Sequence, residues 1–599
     1  TYQTDWSRNN EFKQWICEGA DSSQHAKCTR CQKTFSIAGG DVRDAHSHAS
    51  SAKHTAIGLF LAQAKKTEDL ETVANKKKIT ESELKLMNFI VKRNQPIRLV
   101  DNIPDNVADW FPDSKIAKAM SCRQTKASTM VKNVTGKVTK QDLCDKLQSC
   151  NFTLLVDKST DKKMALVAIY FDEELDKVQY RFYCLVDLKE ATADSIFSAI
   201  LSSLEEDSVP VGNVMALGTD GANIMLGARN SVLSQFRTVQ PNIFHIHCIC
   251  HVAALCVADA CKAFPKTVEQ LCRDIHSHFS ISNKRLQLLE EFQGFVEADS
   301  LKLLELCSNR WLSLLDCVDR ILNQYDALLS YFQSSDESDR LATAERSCHQ
   351  LEDPSTKCYF LFLQAALPLF TNFNHFQSNS PILPALYPEV QQLLKAIMGQ
   401  HIAPQALTPL HDYELQDFDH QEELNFKLPD SIYIDSQTRI QLEKVDNPAK
   451  VKKLMDAVIA FYVNGVSAIK KRMPLGNEVL KLTSILQPSK FSDIVQLAKS
   501  FPQTVPSSSW DNLEAEFIEY QVADLSNVNS GQPLDVYWHQ LGQITTSTKD
   551  HKFSVLSKFA TLLALPHSTA EVERLFSAVN LTKTDLRNKL STSMLECLL

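Results

Sequence analysis

The chain contains no run of about 18 apolar residues, which excludes a membrane-spanning helix of ordinary length. No secretory leader is legible at its amino end, and no compact basic import signal stands out, since the triplet Lys76–Lys78 is too short to serve as one. Positive charge is in deficit overall, with a net charge of −9. That argues against uniform coating by nucleic acid, yet it leaves room for a local basic surface, because phosphate contacts act over short range. Cysteine is plentiful at 17 residues, but the count is odd and the residues are scattered through apolar helical segments. Reduced thiols in an intracellular compartment fit this pattern better than a disulfide framework. With 44% apolar and 23% charged residues the composition is globular. A length of 599 residues exceeds what one core supports, so three or four domains are expected.

The first strong motif is Cys28-x-x-Cys31 followed by His48 and His54. Two thiolates on a tight knuckle and two imidazoles from a following helix suit tetrahedral zinc. His46 is a competing ligand, and the spacing between the paired histidines is wider than usual. The motif resembles the BED-type zinc finger, with Trp15 in the position of its upstream aromatic residue. A module this small needs its metal for stability, and one finger alone gives DNA contact with little specificity.

Residues 55–95 carry apolar positions at helical spacing, and the chain breaks and restarts after Pro96. Between Lys115 and Lys140 stand Lys118, Arg123, Lys126, Lys132 and Lys137 with no acidic residue. A basic stretch interleaved with Ser, Thr and Gln suits a phosphate backbone, so Lys115, Lys118, Arg123 and Lys126 are expected to contact DNA. A solvated helix face is the competing reading.

Next comes a change of period. "NFTLLVDKSTD" is a short, continuously apolar strand ending in Asp157, and "ALVAIYF" and "VQYRFYCLVDL" follow across short turns, as in an antiparallel meander. A helix in "ATADSIFSAILSSLEE", a strand in "NVMALGTDGANIMLG" ending at Asp220, a strand in "NIFHIHC" and a helix in "HVAALCVADACKAF" complete the order βββαβαβα. This is the order of the ribonuclease-H-like fold, an α/β architecture. Two aspartates then fall at the carboxyl ends of neighbouring strands, where each raises the other's pKa unless a cation lies between them. Magnesium or manganese removes that repulsion through hard oxygen ligands. Two such ions about 3.5–4 Å apart would clamp an in-line phosphoryl transfer.

The whole set resembles a transposase of the hAT (hobo–Activator) superfamily carrying a BED finger. The resemblance rests on "LLVDKSTD", "GTDGANIMLG", "HCICH", "SNRWLSLLD" and the closing "HSTAEVERLFSAVNLTKTDLRNKLS", in that order. It implies a DDE mechanism that excises a DNA element, leaves hairpins on the flanking DNA and joins the element elsewhere. Asp157 and Asp220 match the family's aspartates, and Glu573 matches the glutamate of its ER-x-F motif. Cys248 and His251 match its C-x-x-H motif, with His251 expected near the active site and in contact with a DNA end. Trp311 matches the tryptophan that stacks on an unpaired base, with Arg310 available for a phosphate.

The expected organisation is a zinc finger over 1–60, a helical DNA-binding segment over 61–148 and the first part of a ribonuclease-H-like catalytic domain over 149–315. A large all-α insertion follows over 316–545, broken at Pro354, Pro368, Pro381, Pro404 and Pro429 and containing an acidic loop. The last catalytic helix and a carboxy-terminal dimerisation region occupy 546–599, so at least a dimer is expected. Two functions follow from the resemblance: an active, metal-dependent transposase, or a domesticated DNA-binding or regulatory protein derived from one. Both act on double-stranded DNA in the nucleus, with zinc as structural metal, magnesium or manganese at the acids, and neither a membrane nor a small-molecule substrate.

In the closing motif, Ser568-x-x-Glu571 reads as a capping box, which gives Glu571 a structural task. Val572, Leu575, Phe576 and Val579 form the buried stripe of the helix, with Glu573 at its border. A substitution at Glu573 is therefore expected to abolish cleavage, and one at Glu571 to be mild.

Overall fold

The computed structural model describes residues 2–599 apart from 8–10, 20–23, 40–41, 60–72, 160–161, 300, 305–313, 335–341, 489–492, 527, 585–586 and 588–589. The chain divides into two compact units, with the boundary between Gly136 and Lys137.

The first unit opens with an antiparallel meander of β1 (Ile16–Glu18), β2 (His25–Cys28) and β3 (Lys33–Ser36), followed by a helix at Val42–Ala49. The core around this sheet is small, a cluster of Trp6, Phe12, Trp15, Ile16, Ala26, Cys28, Ile37 and Ala45. After it come the Val73–Lys92 helix and, past Pro96, a set of short helices at Ile103–Trp110, Lys115–Ala119 and Gln124–Met130. Glu83 of the long helix is 1% exposed. It accepts the Ser121 N–H at 3.0 Å and the Lys126 Nζ at 2.6 Å, so a buried carboxylate ties the long helix to the short ones.

The second unit is built on a five-stranded sheet. Its strands are β4 (Phe152–Lys158), β5 (Lys163–Asp172), β6 (Lys177–Asp187), β7 (Val214–Thr219) and β8 (Phe244–His247), in the order β6-β5-β4-β7-β8. β4, β5 and β6 pair antiparallel, and β7 and β8 add on parallel to β4. The alternating pattern of β4 and β5 explains the layers. Leu154, Val156, Leu166, Ala168 and Tyr170 face the helices at Ala193–Glu206 and Val232–Val239. Leu155, Ala165, Val167, Ile169 and Phe171 face the other way, into a core shared with the Ile249–Cys261 helix. A period of two on a sheet covered on both sides leaves nearly every strand residue apolar.

From Leu314 to Gly542 the described residues form helices and turns, joined only by an isolated bridge between Ile402 and Phe426. Pro354, Pro368 and Pro404 lie in the first turns of helices, where a missing N–H costs nothing. These helices are not walled off from the sheet. Pro448–Arg472 packs on Leu383–His401 and on Ile249–Cys261, and their side chains continue the core on one face of the sheet. The Ala570–Thr582 helix packs on that same face, against β4 and β5. The chain ends in a helix at Thr592–Leu598 that docks on β6: Glu596 accepts the Leu185 N–H at 2.9 Å, and Met594 and Leu595 are buried. Two apolar residues of the expected dimerisation region are thus already covered by their own chain.

Candidate metal centre and candidate active site

Cys28 ends β2 and Cys31 stands in the turn to β3. The Cys31 N–H points at Cys28 Sγ, 3.3 Å away, as in a metal knuckle. His48 lies in the Val42–Ala49 helix, but His54 lies in a separate helical stretch after it, contrary to a single helix carrying both. The break falls at Ser50 and Ser51. Ser51 Oγ donates to the His48 carbonyl at 2.7 Å and accepts the His54 N–H at 3.3 Å, capping the second stretch. That kink accommodates the wide spacing and turns both rings toward the thiols.

His54 Nδ1 lies 3.4 Å from each Sγ, and one ligand atom from each of Cys28, Cys31, His48 and His54 falls within 4.8 Å of the rest. His48 Nε2 is buried and has no hydrogen-bond partner. A buried orphan nitrogen facing two thiols fits a tetrahedral zinc ion, which these four residues would hold. Burial lowers the pKa of both imidazoles, keeping them in the ligating neutral form. Trp15 packs edge-on against His54 with ring centres 4.5 Å apart, and Phe35 stacks on His48 at 4.2 Å. His46, the competing ligand, instead faces Glu11 and Phe12.

In the basic segment the structure separates the predicted contacts into two kinds. Arg123 Nη2 donates to both carboxylate oxygens of Asp105, at 2.8 and 2.9 Å, and Lys126 is held by Glu83. Their charges are spent within the unit. Lys115 and Lys118 are exposed and turn to solvent. In the second unit Lys140 lies over the Tyr183 ring and pairs with Asp207 at 2.7 Å.

The acids of the second unit come together. Val156 is opposite Thr219 in the parallel β4–β7 pair, so Asp157 and Asp220 follow at the same end of the sheet. Asp157 shares the parity of Leu155, which places it on the face covered by the Ala570–Thr582 helix. Burial pushes the Asp157 carboxyl up to about 7; the Lys158 amide opposes this, and the charges of Asp220, Glu573 and Cys248 add to it. Residues 63, 91 and 416 positions away from Asp157 are therefore its electrostatic neighbours, as 220 − 157, 248 − 157 and 573 − 157 give. The carboxylates are of the type that suits a hard divalent cation. Among the described residues, however, only the Cys28 cluster gathers three or more ligand atoms within 4.8 Å, so the three acids do not all lie within that distance of one another.

Two motifs from opposite ends of the unit close this site. The Ile249 N–H bonds the His567 carbonyl at 3.2 Å, joining the start of the C-x-x-H helix to the segment before the last helix. Gly218 lets that segment lie close to β7: a Cβ there would stand 2.6 Å from Leu155 Cδ2 and 2.9 Å from Pro566 Cβ. Cys248, buried at the helix start, is held down to about 6 chiefly by its hydrogen bond with Cys250, with Thr569 assisting. Cys250 is pushed upward by the same bond and by burial. His251 is half-buried, its ring 5.4 Å from that of His247. Trp311 and Arg310 lie outside the described residues.

The capping box is not formed. The helix of both glutamates begins at Ala570, Ser568 Oγ accepts the Ala570 N–H, and Glu571 does not reach back. Glu571 instead pairs with Arg574 and accepts a hydrogen bond from Asn379 Nδ2 at 3.0 Å, while Arg574 Nη1 bonds Asn379 Oδ1 at 2.9 Å. A tertiary partner has won over the local cap. Glu571 remains structural, by a different route. The predicted stripe holds, with Val572 and Val579 buried and Leu575 and Phe576 packed against the core.

His247, Thr569 and His567 were not singled out by sequence reasoning as neighbours of the acids. The crowding of histidines in "HIHCICH" was the only signal, and it gave no partner.

Residues 2–230 match the family described as ZMYM1/FAM200, RNase-like domain (DUF4371), a transposase-derived family related to hAT elements. The match takes in the zinc cluster, the basic segment and the sheet through Asp220, and stops before Cys248 and Glu573. No described helix is long and apolar enough to cross a membrane.

Proposed function

We propose that this chain is a nuclear, transposase-derived DNA-binding protein that acts on chromosomal DNA as a regulator. The reading rests chiefly on the match of residues 2–230 to a transposase-derived family together with a four-residue zinc cluster. The zinc finger presents the module that grips the duplex, and the exposed Lys115 and Lys118 add phosphate contacts whose strength falls with salt. Arg123 and Lys126 brace the neighbouring helices through Asp105 and Glu83.

A second reading, retained strand cleavage and joining, is favoured by one observation: Asp157, Asp220 and Glu573 share one electrostatic environment. In that case Asp157, Asp220 and Glu573 would hold magnesium or manganese, which supplies Lewis-acid activation of the scissile phosphate. The helix carrying Glu573 then positions the third carboxylate, and His251 at the site's edge contacts the DNA end. Arg310 and Trp311 would hold the flanking phosphate and an unstacked base.

One experiment separates the readings. The chain and its Asp157→Asn variant are incubated with terminal-repeat DNA and magnesium or manganese. Tight binding without cleavage by the parent supports the regulatory reading. Cleavage by the parent alone supports the second. Absence of binding defeats both.

A further inference from the structure

Four helices of the second unit, Lys266–Ser280, Ala342–Glu352, Pro354–Ala366 and Pro448–Arg472, line an open cavity of about 560 Å³. This volume lies within the roughly 300–1,000 Å³ of small-molecule sites. The acids described above do not line it, nor does the C-x-x-H motif.

Its lining is unusual for a gap between packed helices. Arg346, Lys450 and Lys453 line it and outnumber the acids Glu345 and Asp353, beside the hydroxyl-bearing Thr267 and Thr356 and the amide of Gln350. Two of the cations are held by carboxylates, Arg346 by Asp274 outside the lining and Lys450 by Asp353 within it. Arg346 gives Nε and Nη2 to Asp274 Oδ2 at 3.0 and 2.6 Å, which fixes the guanidinium plane and leaves Nη1 unspent. Lys450 is steadied by Asp353 at 2.7 Å. Asp353 is itself occupied in capping the Pro354–Ala366 helix through the Ser355 N–H. Lys453 is exposed and lines the cavity from the next helical turn. An oriented guanidinium beside two ammonium groups is an arrangement for an oxyanion, and Arg is the residue that makes it directional.

A second observation points the same way and adds detail. Gln350 Oε1 is buried and has no hydrogen-bond partner. A buried acceptor left unmet costs stability unless something donates to it. Inorganic phosphate can offer the amide only a P–OH of the group that the cations hold, whereas a ligand with hydroxyl groups beside its phosphate answers the cations and the amide with separate groups.

We propose that this cavity binds a small phosphorylated ligand bearing hydroxyl groups, of the sugar-phosphate class, through Arg346, Lys450 and Lys453 at the phosphate and Gln350 and Thr356 at the hydroxyls. The site serves as a ligand site in the helical part and does not depend on whether the acids of the sheet are active.

The test uses the full chain loaded with zinc, and ribose 5-phosphate and inorganic phosphate as probes, read by calorimetric titration and by the shift in melting temperature. Ribose 5-phosphate is expected to bind and to bind more tightly than inorganic phosphate. Lys453→Glu should weaken it on the order of tenfold or more, as for loss of one charge-assisted contact. Lys452→Glu, which makes the same charge change on the same helix outside the cavity, should leave binding unaltered. Both lysines are exposed, so neither variant disturbs the core, and unchanged melting temperatures without ligand check this. No binding of ribose 5-phosphate by the parent overturns the proposal, as does equal binding by Lys453→Glu. Inorganic phosphate binding as tightly as ribose 5-phosphate overturns the role given to Gln350 and Thr356.

Discussion

The imidazole of His247 fills the space beside Gly221, where a Cβ would collide with its Cε1 and Nε2. Gly221 is therefore required by packing as well as by the turn after Asp220, whose carboxylate accepts the Ala222 N–H at 3.3 Å. His247 Nε2 is buried without a partner, and burial pushes the imidazole down to about 4, so it is neutral at physiological pH. The neutral ring packs against the turn that carries Asp220, and the Ala222 N–H orients the carboxylate.

Gly221→Ala should cost roughly 1–3 kcal/mol, the range for overpacking a filled site. The loss should shrink in a His247→Ala background, because the colliding ring is gone. Urea unfolding of the two single variants and the double variant measures the coupling. Additive losses would show that the ring and the glycine are independent.

Asp157 carries the pH dependence. Its folded pKa, near 7, lies above the ordinary value of 3.8. Between those values the folded chain holds a proton that the unfolded chain has released, so this group's contribution to stability is present at low pH and is lost as pH rises through about 7. Asp157→Asn should remove that fall and be more stable than the parent at pH 8, by about 1–3 kcal/mol given partial exposure. Unfolding free energies from pH 5 to pH 8 test the slope. A parent that gains stability relative to the variant across that window would contradict the assignment.

The two glutamates of the Ala570–Thr582 helix are expected to separate in their effect on Asp157. Glu573→Gln removes a negative neighbour and should lower the Asp157 midpoint, whereas Glu571→Gln should not move it. Glu571→Gln breaks the pair with Arg574 and should cost about 0.2–1 kcal/mol, as for a partly exposed ion pair. NMR titration of the aspartate carboxyls reads the midpoints. A shift caused by Glu571→Gln alone would mean that the helix presents its other edge to the sheet.

Elemental analysis should find zinc at one equivalent per chain, lost in Cys28→Ser and retained in His46→Ala, since His46 lies outside the cluster. Acidification should release the ion, because protons compete for thiolates and imidazoles. Retention of zinc by Cys28→Ser would exclude this ligand set.

Local periodicity carried much of this architecture. The apolar runs at β4, β5 and β7 and the acids at their ends were legible because a strand covered on both faces shows its length directly. The cysteines and histidines of the finger were legible because metal ligands have fixed chemistry and spacing. The pairing of Arg123 and Lys126 was not, since their acids, Asp105 and Glu83, lie 18 and 43 residues upstream and nothing local marks them as partners. The same holds for Glu571, whose capping role lost to Asn379 and Arg574. His247 was hidden for a related reason: its effect depends on a glycine 26 residues earlier in another strand's turn, as 247 − 221 gives.

Duplex binding by the zinc-loaded full chain, followed by fluorescence anisotropy across a salt series, tests the DNA-binding reading most directly. The expected result is binding that weakens steeply with salt, falls in Cys28→Ser, and loses part of its salt slope when Lys115 and Lys118 are replaced by alanine. Binding that is absent at low salt, or that persists undiminished in Cys28→Ser and the double alanine variant alike, would contradict the account.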